Sequence, residues 1–277
     1  MIPRAYITEW QARVPWPQSF QIEQDLILSR LMIEIANDGL LGKELVMRGG
    51  TCLHKLHLTQ PFRYSEDLDY VRRTHSGIKP FLDALEEIAA GIGLERHAVE
   101  QSGEMVHMVL DAEPTVPPGR IRIRIEANVT ETKPYRDPIK VPLQVESGWW
   151  HGEAEIATFV LDELMATKLR ALYQRSKGRD LFDLWLVLTE HSVDDEEVVT
   201  GLRHYMEGKA FIYSSFARNL QEKLEDEGFR NDLDELVTAL PEGYNVEAAA
   251  DLVMERLGAR LKGAPDPAEV AGGGWRK

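Results

Sequence analysis

Apolar residues recur along the chain with two different periods, and the change of period divides it. From Ser19, a residue type suited to capping, Ile22, Leu26, Ile27, Leu31 and Ile35 fall at helical spacing and predict an amphipathic helix over residues 20–37, ending near Gly39 and packing on a sheet. Leu45, Val46 and Met47 make a short apolar strand that runs into Gly49-Gly50-Thr51, after which Leu53, Leu56 and Leu58 mark a short helix. Asp67-Leu68-Asp69-Tyr70 alternates polar and apolar as a strand does, and residues 78–92 read as a helix with Phe81, Leu82, Leu85, Ile88 and Ala89 inward. Alternating runs at 95–101, 105–110, 120–129 and 139–145, separated by Pro- and Gly-containing turns, predict successive strands of an antiparallel or mixed sheet.

Beyond Trp149-Trp150-His151-Gly152 the period becomes helical, with helices expected over 161–173, 181–189, 194–206, 216–227 and 246–261. The pattern therefore predicts an α+β domain over residues 1–150, a helical domain over 151–262, and a Gly/Pro-rich, disordered tail over 263–277. Residues 1–18, with three prolines and two tryptophans but no period, read as an irregular arm.

Composition narrows the class. The chain of 277 residues is 43% hydrophobic and contains no apolar run approaching the roughly 20 residues of a membrane helix. The first sixteen residues have no apolar core of a signal peptide, and a single cysteine, Cys52, excludes an internal disulfide; both fit the cytoplasm. A net charge of −14 argues against a nucleic-acid partner until its distribution is considered. Residues 191–257 hold sixteen Asp or Glu against six Lys or Arg, whereas residues 164–179 hold Lys168, Arg170, Arg175, Lys177 and Arg179 with no acid, a local basic stripe for RNA.

The chemistry concentrates between residues 46 and 71. Paired glycines let the backbone approach a ligand, and the helix start beyond them offers unpaired N–H groups to a phosphate; Thr51 either caps that helix or binds the phosphate. On a strand, Asp67 and Asp69 share one face about 7 Å apart. Two such acids repel, and Mg²⁺ held jointly with substrate phosphates relieves the repulsion. Taken singly, Gly-Gly is most often a turn and Asp-x-Asp a solvated face; together they describe a nucleotidyl transfer site. His54, His57, His107 and His151 have no ligand-like spacing and read as ordinary histidines.

The strings RGGTCLHKL, RYSEDLDYV and LDELMATKLRALYQRSKGRDLFDL, in that order, resemble the AbiEii/AbiGii-type nucleotidyltransferase toxins of the DNA polymerase beta-like superfamily. The resemblance implies a polymerase beta-like fold with a mixed sheet, Mg²⁺ or Mn²⁺ as cofactor, an NTP as substrate, transfer to RNA with the tRNA 3′ end as target, a cognate antitoxin, and a part in phage defence. It assigns Asp67 and Asp69 to metal and catalysis, and Gly49, Gly50 and Thr51 to the triphosphate. Arg63 and Ser65 orient phosphate or brace the acid loop. From the third motif, Lys168 and Asp183 are expected to be catalytic and Asp180 to bind nucleotide. Such sites carry a third acid on a neighbouring strand. In Arg120–Asn128 the parity sets Ile121, Ile123 and Ile125 on one face and Arg120, Arg122, Arg124 and Glu126 on the other, making Glu126 the candidate metal ligand, with Arg122 and Arg124 near triphosphate or RNA. An ordinary solvated strand face is the competing view. Two rivals to RNA transfer stay open: transfer to a protein or small-molecule hydroxyl, and a silent, antitoxin-binding fold.

Overall fold

The computed structural model describes residues 2–74, 77–130, 133–206 and 212–262. The predicted tail lies outside them. In chain order the elements are α1 (Arg4–Trp10), α2 (Ser19–Asn37), α3 (Leu41–Glu44), β1 (Leu45–Arg48), α4 (Gly49–Cys52) continued by a π turn (Leu53–His57), β2 (Asp67–Arg72), α5 (Ile78–Ile92), β3 (Glu95–Ser102), β4 (Met105–Ala112), β5 (Ile121–Asn128), β6 (Ile139–Glu146) and β7 (His151–Thr158). Then follow α6 (Leu161–Gln174), α7 (Gly178–Glu190), α8 (Asp195–Tyr205), α9 (Tyr213–Leu224), α10 (Glu227–Arg230), α11 (Val246–Val253), a second π turn (Met254–Gly258) and α12 (Ala259–Lys262).

The chain divides into two compact units, residues 1–160 with 236–238, and residues 161–235 with 239–277. The boundary lies ten residues beyond the one expected from sequence, because residues 151–158 form β7 and close the sheet. All seven strands belong to one mixed sheet of order β3-β4-β5-β2-β1-β7-β6. β1 is antiparallel to β2 and parallel to β7, β2 is parallel to β5, and the remaining pairs are antiparallel. Pro142 falls on the edge strand β6, the kind of strand in which a residue without an N–H is tolerated.

The strand parity holds. Ile121, Ile123 and Ile125 are 0–1% exposed, as is Leu68 between the two aspartates, while Arg120, Arg122 and Arg124 are exposed on the opposite face. α5 ends at Gly93, whose φ of 89° is open to a residue without Cβ, after which the Leu94 N–H returns to the Ala89 carbonyl at 2.9 Å. Leu82 and Ile88 of α5 are half-buried; Phe81, Leu85 and Ala89 are the inward positions.

Two sequence expectations change in the N-terminal region. Residues 4–10 of the arm are helical as α1, a short helix that buries only Ile7 and Trp10 and so leaves little period to detect. α2 is capped by Gln18 rather than Ser19, through reciprocal side-chain bonds with Gln21. It is not one-sided either. Its polar residues Gln21, Glu23, Gln24, Asp25 and Ser29 are buried together with its apolar ones. Each has a partner that makes this tolerable. Glu23 accepts from the Thr115 N–H at 2.8 Å and the Ile2 N–H at 3.3 Å, and Gln24 donates to the Arg122 carbonyl at 2.9 Å.

The second unit is helical. Leu164, Met165, Leu169, Leu172, Leu181, Leu184 and Val198 are at most 1% exposed in its core, and Phe182, Trp185 and Tyr244 pack edge to face, each ring 5.0 Å from Tyr244. Gly178 opens α7 because a Cβ there would lie 2.1 Å from the Phe229 carbonyl oxygen.

Candidate active site

The glycine turn and the acid strand meet. Gly49 follows β1 with a φ of 86°, and a Cβ built on it would lie 2.0 Å from Asp69 Oδ2. Gly50 is as closely approached: its Cβ would lie 2.5 Å from Arg63 Nη2 and 3.0 Å from Ser65 Oγ. The Thr51 hydroxyl donates to the Asp67 carbonyl at 2.5 Å and stands 2.9 Å from the Ser65 hydroxyl. The structure thus brings Gly49, Gly50, Thr51, Arg63, Ser65, Asp67 and Asp69 into one cluster. Of the two roles open for Thr51, capping is not the one seen: its hydroxyl ties the turn to β2.

The sheet register supplies the next rank. Asp67 pairs with Arg124 and Asp69 with Glu126 across β2 and β5, so all four share a face. Burial, then Asp69, Glu66 and Glu126, push the Asp67 carboxyl up to about 7, with Arg124 pulling the other way. Glu126 Oε1 lies 3.2 Å from His107 Nδ1 on β4, a contact without hydrogen-bond geometry, and 3.5 Å from Arg124 Nη1. His107, which has no signal in the sequence, enters the site through strand pairing alone. Arg122 is spoken for: it binds Asp111 at 2.9 and 3.2 Å, and that bond draws the Asp111 carboxyl below its ordinary range.

These residues suit a hard divalent cation. Among the described residues no three His, Cys, Asp or Glu side chains form a ready metal cage. Mg²⁺ ordinarily needs one or two carboxylates and completes its shell with water and substrate phosphates. Two acids on one face, one of them resisting ionisation near neutrality, beside a turn that admits no side chain, provide that kind of half-site.

In the second unit Lys168, Asp180 and Asp183 also come together, but as a closed network. Lys168 Nζ lies 3.2 Å from Asp180 Oδ1 and 2.8 Å from Asp183 Oδ2, and Arg175 grips Asp180 through Nε at 2.7 Å and Nη2 at 3.0 Å. Both aspartates are fully buried and Lys168 is 6% exposed, so a solvated helix face is ruled out for this lysine. Burial works to raise the Asp180 carboxyl, yet Lys168 and Arg175 outweigh it and hold it below the ordinary carboxylate range. The stripe that looked free of acid is not so in space. Arg175 belongs to Asp180, Lys177 and Arg179 lie 3.6 and 3.9 Å from Asp232, and Arg170 donates to the Tyr205 carbonyl while stacking on its ring.

A glycine turn pressed against an Asp-x-Asp strand on a mixed sheet is the geometry of this cluster. Comparison with known proteins supplies the family. The model of the AbiEii nucleotidyl transferase toxin family, of type IV toxin–antitoxin systems, matches residues 30–255, and the chain belongs to that family. Among solved structures, the chain is similar to MenT4, a nucleotidyltransferase toxin from Mycobacterium tuberculosis H37Rv, with a TM-score of 0.67 at 17% identity over 98% of this chain and 93% of that one. It is also similar to JHP933 from Helicobacter pylori, with a TM-score of 0.52 at 14% identity over 89% of this chain and 97% of that one. No curated protein matches the sequence. The protein is therefore a nucleotidyltransferase toxin, with an NTP as substrate and a cognate antitoxin as partner. Among the described residues no helix is long and apolar enough to cross a membrane.

Proposed function

We propose that the protein is a Mg²⁺- or Mn²⁺-dependent toxin that transfers a nucleotide from an NTP to RNA, with the tRNA 3′ end as acceptor, blocking translation in the cytoplasm and serving in phage defence. The observation that carries the site assignment is the approach of Gly49 to Asp69, which joins the phosphate-binding turn to the acid pair. In this reading the backbone of Gly49 and Gly50 and the Thr51 segment take the β- and γ-phosphates, and Arg63 and Ser65 brace them. Asp67 and Asp69 hold the cation and Glu126 completes the set. Arg124 is the better placed of the two strand arginines, because Arg122 is engaged by Asp111.

A divalent cation held by Asp67 and Asp69 would lower the pKa of the acceptor hydroxyl and would take up charge on the leaving group. The acceptor 3′ hydroxyl gives up its proton to solvent as its oxygen attacks the α-phosphorus, the bond from that phosphorus to the bridging oxygen breaks, and pyrophosphate departs. By resemblance to the family's third motif, Lys168 and Asp183 are assigned to catalysis and Asp180 to nucleotide binding, the two carboxylates holding the ammonium in one place. Incubation with each labelled NTP and total tRNA, with and without EDTA, tests this. Label on tRNA that disappears with EDTA is expected. Label on protein or small molecules, or none, would instead favour the other acceptors or a silent fold.

A further inference from the structure

The N-terminal arm has no role in the reading above, yet its tryptophans converge on one buried carboxylate. Asp25 of α2, 3% exposed, accepts from Trp10 Nε1 at 2.8 Å, Trp16 Nε1 at 3.0 Å and Lys55 Nζ at 2.9 Å. Lys55 also donates to Ser29 Oγ at 2.9 Å, and Ser29 donates to the Asp25 carbonyl at 2.8 Å. A buried carboxylate with three donors is a strong, directional junction, because charge-assisted hydrogen bonds are about twice as strong as neutral ones.

Two of its arms lead to the glycine turn. Lys55 sits in the π turn Leu53–His57 that continues the helix begun at Gly49. Trp16 packs edge-on against Tyr64, with ring centroids 5.6 Å apart and planes at 68°. Tyr64 is in turn the residue between Arg63 and Ser65, whose side chains face Gly50. Its N–H donates to the Leu236 carbonyl at 2.6 Å, and its own carbonyl accepts from Arg63 Nη1 at 3.1 Å. One carboxylate thus ties down both walls of the turn, the helix behind it and the loop in front.

We propose that Asp25 is a positioning residue for nucleotide binding and that the arm, through Trp10 and Trp16, is the brace by which it acts. The proposal rests on the assignment of the glycine turn to the triphosphate. A phosphate held by backbone N–H groups tolerates little displacement of them, because a hydrogen bond weakens steeply as its angle departs from linear.

Asp25→Asn keeps the volume but offers an NH₂ donor where a donor already points. Titration with a fluorescent NTP analogue and single-turnover transfer across NTP concentration should show Kd and KM raised on the order of tenfold, as for one weakened hydrogen bond to a charged group, with the saturated rate within about twofold of wild type. Trp16→Phe, which keeps a ring against Tyr64 but loses the N–H and part of the indole's volume, should move both constants the same way by less, and Lys55→Met likewise. These two variants carry the test if Asp25→Asn does not fold. Lowered melting temperatures with wild-type Kd and KM would overturn the proposal and make the arm packing alone, as would a reduced saturated rate at unchanged KM. Failure of the wild-type protein itself to bind NTP appears before any variant is measured, and takes down the turn assignment together with this proposal.

Discussion

The chain carries two pairs of acids, each on a common face of its element, and the fold treats them in opposite ways. Asp180 and Asp183 are the more deeply buried pair, yet Lys168 and Arg175 stand within 3.2 Å and Asp180 stays ionised below the ordinary range. Asp67 is somewhat less buried, yet there burial, the largest influence, is reinforced by Asp69, Glu66 and Glu126 and only partly offset by Arg124, and its carboxyl rises to about 7. Burial alone does not mark a site for a cation. Charge balance separates the two pairs: Lys168 and Arg175 offset burial at Asp180, whereas at Asp67 the neighbouring acids add to it, which is what the proposed cation would relieve.

The sharpest way to break this contrast is to neutralise one acid of the first pair. Asp69→Asn or Asp67→Asn should lower transfer on the order of a thousandfold. The melting temperature should stay or rise, since a like-charge repulsion is relieved. Near-normal transfer in either variant would remove the metal assignment. The second pair should respond in the opposite sense. Lys168→Ala leaves two buried carboxylates short of a cation and should cost about 3–5 kcal/mol of stability. Lys168→Arg should restore much of that stability but only part of the rate, the planar fork being differently directed. Denaturant unfolding alongside single-turnover transfer separates the two effects, and an unchanged stability in Lys168→Ala would contradict the closed network.

Acidity provides a third, smaller contrast. An Asp titrating near 7 in the folded state and at its ordinary 3.8 unfolded holds an extra proton when folded between those values. Stability attributable to Asp67 therefore falls as pH rises from about 4 to about 7, and the full cost is present above that. Asp67→Asn should lack the decline, so the difference in melting temperature between variant and wild type should grow across that window. Above pH 7, Mg²⁺ should raise the wild-type melting temperature, by about 2.7 kcal/mol of stability at a hundredfold excess over Kd, and leave Asp67→Asn nearly unmoved. Parallel melting curves for the two proteins across pH, with and without Mg²⁺, check both statements.

The comparison also shows what a sequence discloses. Both acid pairs, the glycine turn and most elements were legible because they are local: strand alternation fixes the shared face of Asp67 and Asp69, and helical spacing gives α2, α5 and the helices of the second unit. β7 was passed over, although Glu153 and Glu155 alternate with the buried Ala154 and Ile156, because its residues are small and follow a tryptophan pair. What no local reading reaches is the partner from afar. His107 meets Glu126 only through β4–β5 register, and Asp25 meets Lys55 thirty positions away. Residues 164–179 looked like a free basic stripe because Asp180 lies just past its end and Asp232 more than fifty positions on.

That last misreading leads to the smallest effect and the most specific one. Arg124 and Arg175 are equally exposed at the side chain, 50% and 52%, so accessibility does not rank them as RNA ligands. Their partners do. Arg175 makes two hydrogen bonds of 3.0 Å or less with the fully buried Asp180, and leaving that carboxylate for a phosphate would uncover a buried charge. Among the described residues Arg124 has a 3.5 Å contact with Glu126, and it sits opposite Asp67 on the face where the acceptor strand is proposed to end. A phosphate contact releases about one counterion, so losing one should flatten the plot of log K against log salt by about 0.7–0.9. Arg124→Gln is expected to flatten it by that amount, and Arg175→Gln to lower stability while leaving the slope as it is. Filter binding of tRNA from low to moderate salt reads the slope directly. The reverse pattern, with Arg175→Gln flattening the plot and Arg124→Gln leaving it alone, would move the RNA path off the sheet and onto the helices of the second unit.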